Sequence, residues 1–81
     1  MNEKIIDKIY KQAKNYRDPV TNKIFDKFNK DIVIVVKEGN VNISLDIVPN
    51  KENEYQELIK NLKEKIKRLE NILSVSIVLT S

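Results

Sequence analysis

The sequence predicts one small α+β domain, a two-layer α-β-β-α-β sandwich with a three-stranded mixed sheet and both helices packed on one face. Three observations support this fold class. Apolar residues recur at helical spacing in two segments, two strand-like segments flank the only glycine, and a further alternating segment closes the chain. The 81 residues have the length of one domain, which we assign to residues 1–81.

The first element is an amphipathic helix from about Asn2 to Tyr16, with Asn2 as the predicted N-cap. Its apolar residues occupy one helical face: Ile5, Ile6, Ile9, Tyr10 and Ala13. Asp18 precedes Pro19, and a residue before proline is disfavoured in the α region, so we expect the helix to end before this pair.

The stretch 20–31 predicts a short helix or turn. We expect Ile24, Phe25 and Phe28 to pack under the domain. Asn29 is suited to a left-handed backbone conformation, which asparagine adopts more readily than most residues.

Two strands follow, joined by a hairpin. The β-branched run Ile32–Val36 predicts a strand that is covered on both faces. Lys37 to Asn40 predicts a tight turn in which Gly39 supplies a positive φ. The second strand alternates apolar with polar residues, and its predicted buried side is Val41, Ile43, Leu45 and Ile47.

A long charged helix from Lys51 to about Asn71 precedes the last strand, Ser74–Thr80. The connection should cross over and place the last strand parallel to a neighbour. The apolar stripe of the helix is Tyr55, Leu58, Ile59, Leu62, Ile66, Leu69 and Leu73. We interpret the stripe as the cover of the sheet, with a dimeric coiled-coil seam as the alternative.

The amino-acid composition excludes several kinds of functional site. It has no cysteine and no histidine, which removes thiolate cluster ligands, disulfides and the usual acid–base group at neutral pH. A single glycine excludes a P-loop. We therefore predict no catalytic, cofactor-binding or metal-binding residue in this chain. With no apolar run of about 18 residues and no signal peptide, the expected location is the cytoplasm.

The chain carries a net charge of +3 and has a pI of about 9.2. We attribute this to a composition rich in lysine, isoleucine and asparagine, interpret the basic face of the long helix as solvated, and do not expect nucleic acid as a partner. The alternative is a small basic nucleic-acid-binding module that uses this face, although no GxxG loop or RNP pattern is present. The residues of the face are Lys60, Lys63, Lys67 and Arg68.

The segment from Asp18 to Thr21, with sequence DPVT, is the candidate interaction loop. The oxygens of Asp18 and Thr21 can accept hydrogen bonds from backbone N–H groups or contact a ligand. The simpler interpretation is a capped turn, because Asp-Pro starts turns and both side chains are capping residues.

Four short motifs occur in a particular order: the DPVT segment, Gly39–Val41, Leu45–Pro49 and Ser74–Thr80. In this order the chain resembles the iron–sulfur cluster assembly (MIP18-like) domain. More narrowly, it resembles the N-terminal domain of Mrp-type (ApbC-type) P-loop ATPases, which are iron–sulfur cluster carriers. Two departures are the lack of the cysteine that many relatives carry after the second strand, and Asn29–Asp31 where the family has Gly-Leu-Val.

The resemblance implies a non-catalytic accessory domain that supports cluster assembly or transfer to apoproteins. Its implied partners are its own ATPase domain, a scaffold or client apoproteins, contacted through Asp18, Pro19 and Thr21, without a membrane. Iron–sulfur cluster and ATP would bind only to a downstream domain of a homodimeric full-length protein. We expect the chain to be the excised N-terminal domain of such a protein, with a standalone relative of that domain as the alternative. A structural homodimer, formed through the helix stripe or a free strand edge, is a further alternative.

Overall fold

The computed structural model describes residues 2–81, and the side chains from residue 4 onwards. The predicted N-cap side chain of Asn2 lies outside this part. The fold is a small α+β domain with a three-stranded mixed sheet and two helices, as the sequence predicted. Its elements in chain order are α1 (Asn2–Ala13), β1 (Ile32–Lys37), β2 (Asn40–Asp46), a 3₁₀ turn (Glu52–Tyr55), α2 (Gln56–Lys67) and β3 (Ser74–Thr80).

The sheet has the order β1-β2-β3, with β2 in the centre. β1 and β2 pair antiparallel, and Ile34 lies opposite Ile43. β2 and β3 pair parallel, and Ile43 lies opposite Ile77. The chain must cross over between two parallel strands, and α2 makes this crossing. The predicted parallel pairing of the last strand is therefore confirmed.

The core lies between one face of the sheet and the two helices. Its largest fully buried side chains are Tyr55, Phe25, Ile9, Ile43, Leu45, Leu62, Ile66 and Val41. Leu58, Leu62 and Ile66 of α2 are all buried inside the domain, so this part of the stripe packs within the domain as predicted and is not free to form a dimer seam. Among the described residues, no helix has both the length and the apolar character needed to cross a membrane.

The prediction that β1 is covered on both faces is wrong. Its side chains alternate between buried and exposed, and Val33 and Val35 are 52% and 54% exposed. Val78 of β3 is also 54% exposed. Both helices lie on the opposite face of the sheet, which leaves this side without a second layer. The β-branched run therefore reflects the preference of valine and isoleucine for extended backbone rather than burial on both sides.

Both helices are shorter than predicted. α1 ends at Ala13, where a tight turn follows in which the Tyr16 backbone N–H donates to the Ala13 carbonyl at 2.9 Å. α2 is preceded by the 3₁₀ turn and ends at Lys67. Asn71 has a φ of 68°, a left-handed conformation that a helix cannot continue through. Leu73 lies beyond the helix and is 73% exposed, so its assignment to the apolar stripe is wrong.

The predictions for residues 20–31 are confirmed in part. Phe25 is fully buried, but Phe28 is 80% exposed and Ile24 is 39% exposed, so these two do not pack under the domain. Asn29 does not have a positive φ. Instead its side chain organises the turn, because Nδ2 donates to the Ile24 carbonyl at 2.9 Å and Oδ1 accepts from the Asp31 N–H at 2.8 Å.

The β1–β2 hairpin closes with a two-residue turn. Glu38 and Gly39 have φ values of 52° and 82°, the positive pair that defines a type I′ turn. The Gly39 carbonyl accepts from the Leu73 N–H at 2.7 Å. A Cβ atom at Gly39 would lie 2.9 Å from the Asn71 carbonyl oxygen and 3.0 Å from Leu73 Cγ. The turn is thus packed against the α2–β3 connection.

We predict that Gly39→Ala destabilises the protein by about 2–3 kcal/mol. A left-handed alanine costs about 1–2 kcal/mol, and the new methyl group meets a backbone carbonyl that cannot rotate away. Urea denaturation monitored by circular dichroism measures the loss. Glu38→Gly is the matched control, because it relieves a positive φ in the same turn and should leave the stability unchanged or raised. A Gly39→Ala variant as stable as the wild type would contradict the close packing.

Candidate functional site

The candidate interaction loop is a compact turn, which we call the DPVT loop (residues 17–24). Its two end residues form an isolated antiparallel bridge. Inside it, the Asp18 N–H donates to the Lys23 carbonyl and the Asn22 N–H donates to the Asp18 carbonyl, both at 2.8 Å. Residues 19–21 form its exposed tip. The loop is therefore closed by its own backbone hydrogen bonds.

Asp18 holds the tip of the loop from inside. Among the side chains that the structure describes, it is the one buried charged group, and it is only 3% exposed. Its Oδ1 accepts from the N–H groups of Val20 at 2.8 Å and Thr21 at 2.9 Å. The interpretation as a capped turn is confirmed. Asp18 thus acts on the conformation of the loop, while Pro19 and Thr21 are exposed on its outside.

Tyr55 ties the DPVT loop to the second half of the chain. Its ring is fully buried, and its hydroxyl donates to the Asp18 carboxylate, 2.8 Å from Oδ1 and 2.9 Å from Oδ2. Tyr55 is the last residue of the 3₁₀ turn, directly before α2. The helical periodicity assigns Tyr55 to the apolar stripe and does not predict its hydrogen bond to Asp18. The feature of the sequence that could have indicated this bond is the Tyr55 hydroxyl. It is a polar atom on an otherwise apolar stripe, and a buried hydroxyl requires a hydrogen-bond partner.

The environment of Tyr55 keeps its hydroxyl protonated. Burial, followed by the hydrogen bond to the Asp18 carboxylate and the negative charge of that group, raises the pKa of Tyr55 to about 12. A neutral phenol remains a hydrogen-bond donor, which is what the carboxylate needs. Among the described residues, every buried side-chain nitrogen or oxygen has a hydrogen-bond partner.

A small cleft of about 180 Å³ lies beside the DPVT loop. Its lining combines two residues of the loop with the last residue of β2 and the two that follow it, and is completed by two further side chains: Asp18, Thr21, Asp46, Ile47, Val48, Asp31 and Tyr55. In the described part of the chain, no group of three or more potential metal-ligating side chains is placed to hold a metal ion. Two sequence motifs that are far apart in the chain, DPVT and Leu45–Pro49, therefore meet at this cleft.

The basic face of α2 lies apart from these features. Its cations are all exposed to solvent, which fits a solvated face and a nucleic-acid-binding face equally: Lys60, Lys63, Lys67 and Arg68. The helix itself contains no aromatic residue.

Comparison with protein-family models, with curated proteins and with solved structures found no match for the chain. The resemblance seen in the four motifs therefore stays a prediction, and the site is interpreted from its own geometry.

We predict that Tyr55→Phe lowers the free energy of unfolding by about 1.5–3 kcal/mol. The change keeps the ring but removes the hydrogen bond to a buried carboxylate, and bonds to charged groups have this magnitude. Denaturation curves measure the loss, and hydrogen exchange should show faster exchange at Val20 and Thr21. Tyr10→Phe, which removes a hydroxyl from a partly exposed ring, is the matched control. Equal effects of the two variants would contradict a specific role for the Tyr55–Asp18 bond.

We also predict a loss of stability at alkaline pH that depends on Tyr55. Because its folded-state pKa is raised above the unfolded value near 10, its contribution is complete below pH 10 and is lost as the pH rises towards 12. The chain has three tyrosines, so an absorbance titration should show one that ionises late. Unfolding measured across this range should be less steep in pH for Tyr55→Phe than for the wild type. Identical pH slopes would contradict the assignment.

Proposed function

We propose that this chain is a non-catalytic protein-interaction domain of an iron–sulfur cluster carrier. It would dock, through the tip of the DPVT loop, on an ATPase domain, a scaffold or a client apoprotein. The main support for this proposal is that the loop has two different sides. Its inner side is buried and held by hydrogen bonds, and its outer side is exposed to solvent. The Asp18 carboxylate is buried and fully engaged, while Pro19 and Thr21 face solvent.

A loop held in this way is suited to recognition. Binding to a flexible loop costs the entropy of ordering it, and a loop ordered in advance avoids most of that cost. Here the bridge between the loop ends, the capping of the tip by Asp18 and the bond from Tyr55 all restrict the same eight-residue segment. The fixed φ of Pro19 restricts it further.

The arrangement of the motifs gives a second reason. The DPVT segment and the end of β2 carry two of the four motifs on which the resemblance rests, and both line the small cleft. The stretch after β2 is where many proteins of the resembled family carry a cysteine, and here it contains Val48-Pro49-Asn50 and no cysteine. We therefore assign the binding of cluster and nucleotide to another domain, and assign to this chain only the contact with a partner protein.

The experiment is a binding titration of the 81-residue chain against a purified Mrp-type ATPase from the same genome, with a scaffold and a client apoprotein as further partners. Thr21→Arg should weaken binding at least about tenfold, because a long charged side chain at the tip blocks close contact. Thr80→Arg is the matched control. Thr80 is likewise exposed, its hydroxyl makes one long hydrogen bond like that of Thr21, and it lies at the end of β3.

Two outcomes of the binding titration would contradict the proposal. One is the absence of binding to all three partners by the folded wild-type chain. The other is loss of binding by Thr80→Arg with none by Thr21→Arg, which would move the contact to the end of β3. A chain that acquired colour on reconstitution with iron and sulfide would contradict the assignment of the cluster to another domain.

A further inference from the structure

Phe28 is the most exposed large apolar side chain among the described residues. It is 80% exposed, whereas Phe25, three residues earlier, is fully buried. The turn that carries Phe28 is ordered, because Asp26 Oδ1 accepts from the N–H groups of Phe28 at 3.0 Å and Asn29 at 3.1 Å. The ring is thus held in solvent by a defined backbone. A single exposed apolar residue needs no explanation, so its surroundings decide what it can do.

The ring of Phe28 stands between two open clefts and lines both of them. The larger has a volume of about 600 Å³ and the smaller about 230 Å³. We call the two clefts and the ring the Phe28 surface. Because the ring belongs to both clefts, an elongated ligand can pass from one to the other across its face.

The Phe28 surface is basic. Its cations are Arg17, Lys23 and Lys30 in the larger cleft and Lys11, Lys14 and Lys27 in the smaller. Against these six positive charges stand three carboxylates, those of Asp7, Asp26 and Asp31. The excess is three positive charges, and the whole chain, with 15 lysines and arginines against 12 aspartates and glutamates, also has an excess of three. The remaining nine cations and nine carboxylates balance, so the net charge of the protein is accounted for by this surface.

We infer that the Phe28 surface binds single-stranded nucleic acid without sequence preference. Proteins that do this combine a positive groove along the backbone with an aromatic ring on which a base stacks. Here Phe28 supplies the ring, and the lysines on both sides supply point charges for phosphates. Lys27 Nζ lies over the Phe28 ring, 6.0 Å from its centroid, so one cation is already placed at a face of the ring.

Two other surfaces of the molecule are less suited to binding nucleic acid. The open face of the sheet has three exposed valines, at positions 33, 35 and 78, but no excess of charge to select a partner. The basic face of α2 has cations but no aromatic residue for a base. An acidic protein segment would match the charge of the Phe28 surface, but lysine is depleted at protein–protein interfaces, which favours phosphate over carboxylate as the anion.

The test uses the 81-residue chain and fluorescein-labelled oligo(dT) and oligo(U) of roughly 12 nucleotides, titrated by anisotropy at low salt. We expect micromolar affinity, and Phe28→Ala should weaken it about 5- to 150-fold, the range that loss of one stacked base produces. Val35→Ala, an exposed apolar residue on the opposite side of the fold's sheet, is the control and should change nothing.

A second variant tests the stacking position by a signal that appears on binding, so that its result does not depend on a loss of affinity that misfolding could also cause. The chain contains no tryptophan, so Phe28→Trp introduces a single tryptophan, which can be excited apart from the three tyrosines, at the proposed stacking position. It should retain binding, and its fluorescence should be quenched by the oligonucleotide. Lys27→Gln should reduce the salt dependence of binding by about one phosphate contact, whereas Lys63→Gln on α2 should not.

Several outcomes would overturn the inference. They are no binding at low salt, equal affinity of the wild type and Phe28→Ala, and unquenched fluorescence of Phe28→Trp in the presence of bound oligonucleotide. Equal binding of a poly-glutamate of the same length would show an anion surface without stacking. A salt dependence that changes with Lys63→Gln rather than Lys27→Gln would place the contact on α2.

Discussion

The hydrogen bond from Tyr55 to Asp18 is the interaction on which the rest of this structure depends. Asp18 is a buried carboxylate, and a buried charge is tolerated only where donors surround it. Two backbone N–H groups and the Tyr55 hydroxyl supply them, at 2.8 to 2.9 Å. Because Tyr55 stands directly before α2, the bond joins the loop after α1 to the start of the helix that covers the sheet. One interaction therefore sets the shape of the loop and the position where the second helix begins.

A second contact secures the other end of α2. The hairpin turn at Gly39 accepts a hydrogen bond from the backbone of Leu73 and leaves no space for a side chain. The crossover from β2 to β3 is thus held at both ends, first by Tyr55 and then by Gly39. Between them the helix buries Leu58, Leu62 and Ile66 against the sheet. In a domain of this size the core is small, so such specific contacts carry a large share of the stability.

The division of surfaces follows from the two-layer architecture. Both helices cover one face of the sheet, and the opposite face keeps its valines in contact with solvent. The segment between α1 and β1 carries both the tip of the DPVT loop and the ring of Phe28. Both are built by aspartate or asparagine side chains that bond to nearby backbone. The same local chemistry thus fixes the conformation of both the loop tip and the turn that carries the aromatic ring.

The sequence by itself determined the fold class, the order of the elements, the hairpin at Gly39 and the capped turn at Asp18. Each of these depends on local periodicity or on the backbone preferences of a few neighbouring residues. The tertiary structure alone decided which face of β1 is open, where α2 begins and ends, that Phe28 is exposed, and that Tyr55 bonds to Asp18. These depend on which layers exist and which segments meet in space, and Tyr55 and Asp18 are 37 residues apart in the chain. A hydrophobic residue type indicates that a side chain can be buried. Whether it is buried depends on the packing of the whole domain, which decides whether a helix or strand lies against that side chain.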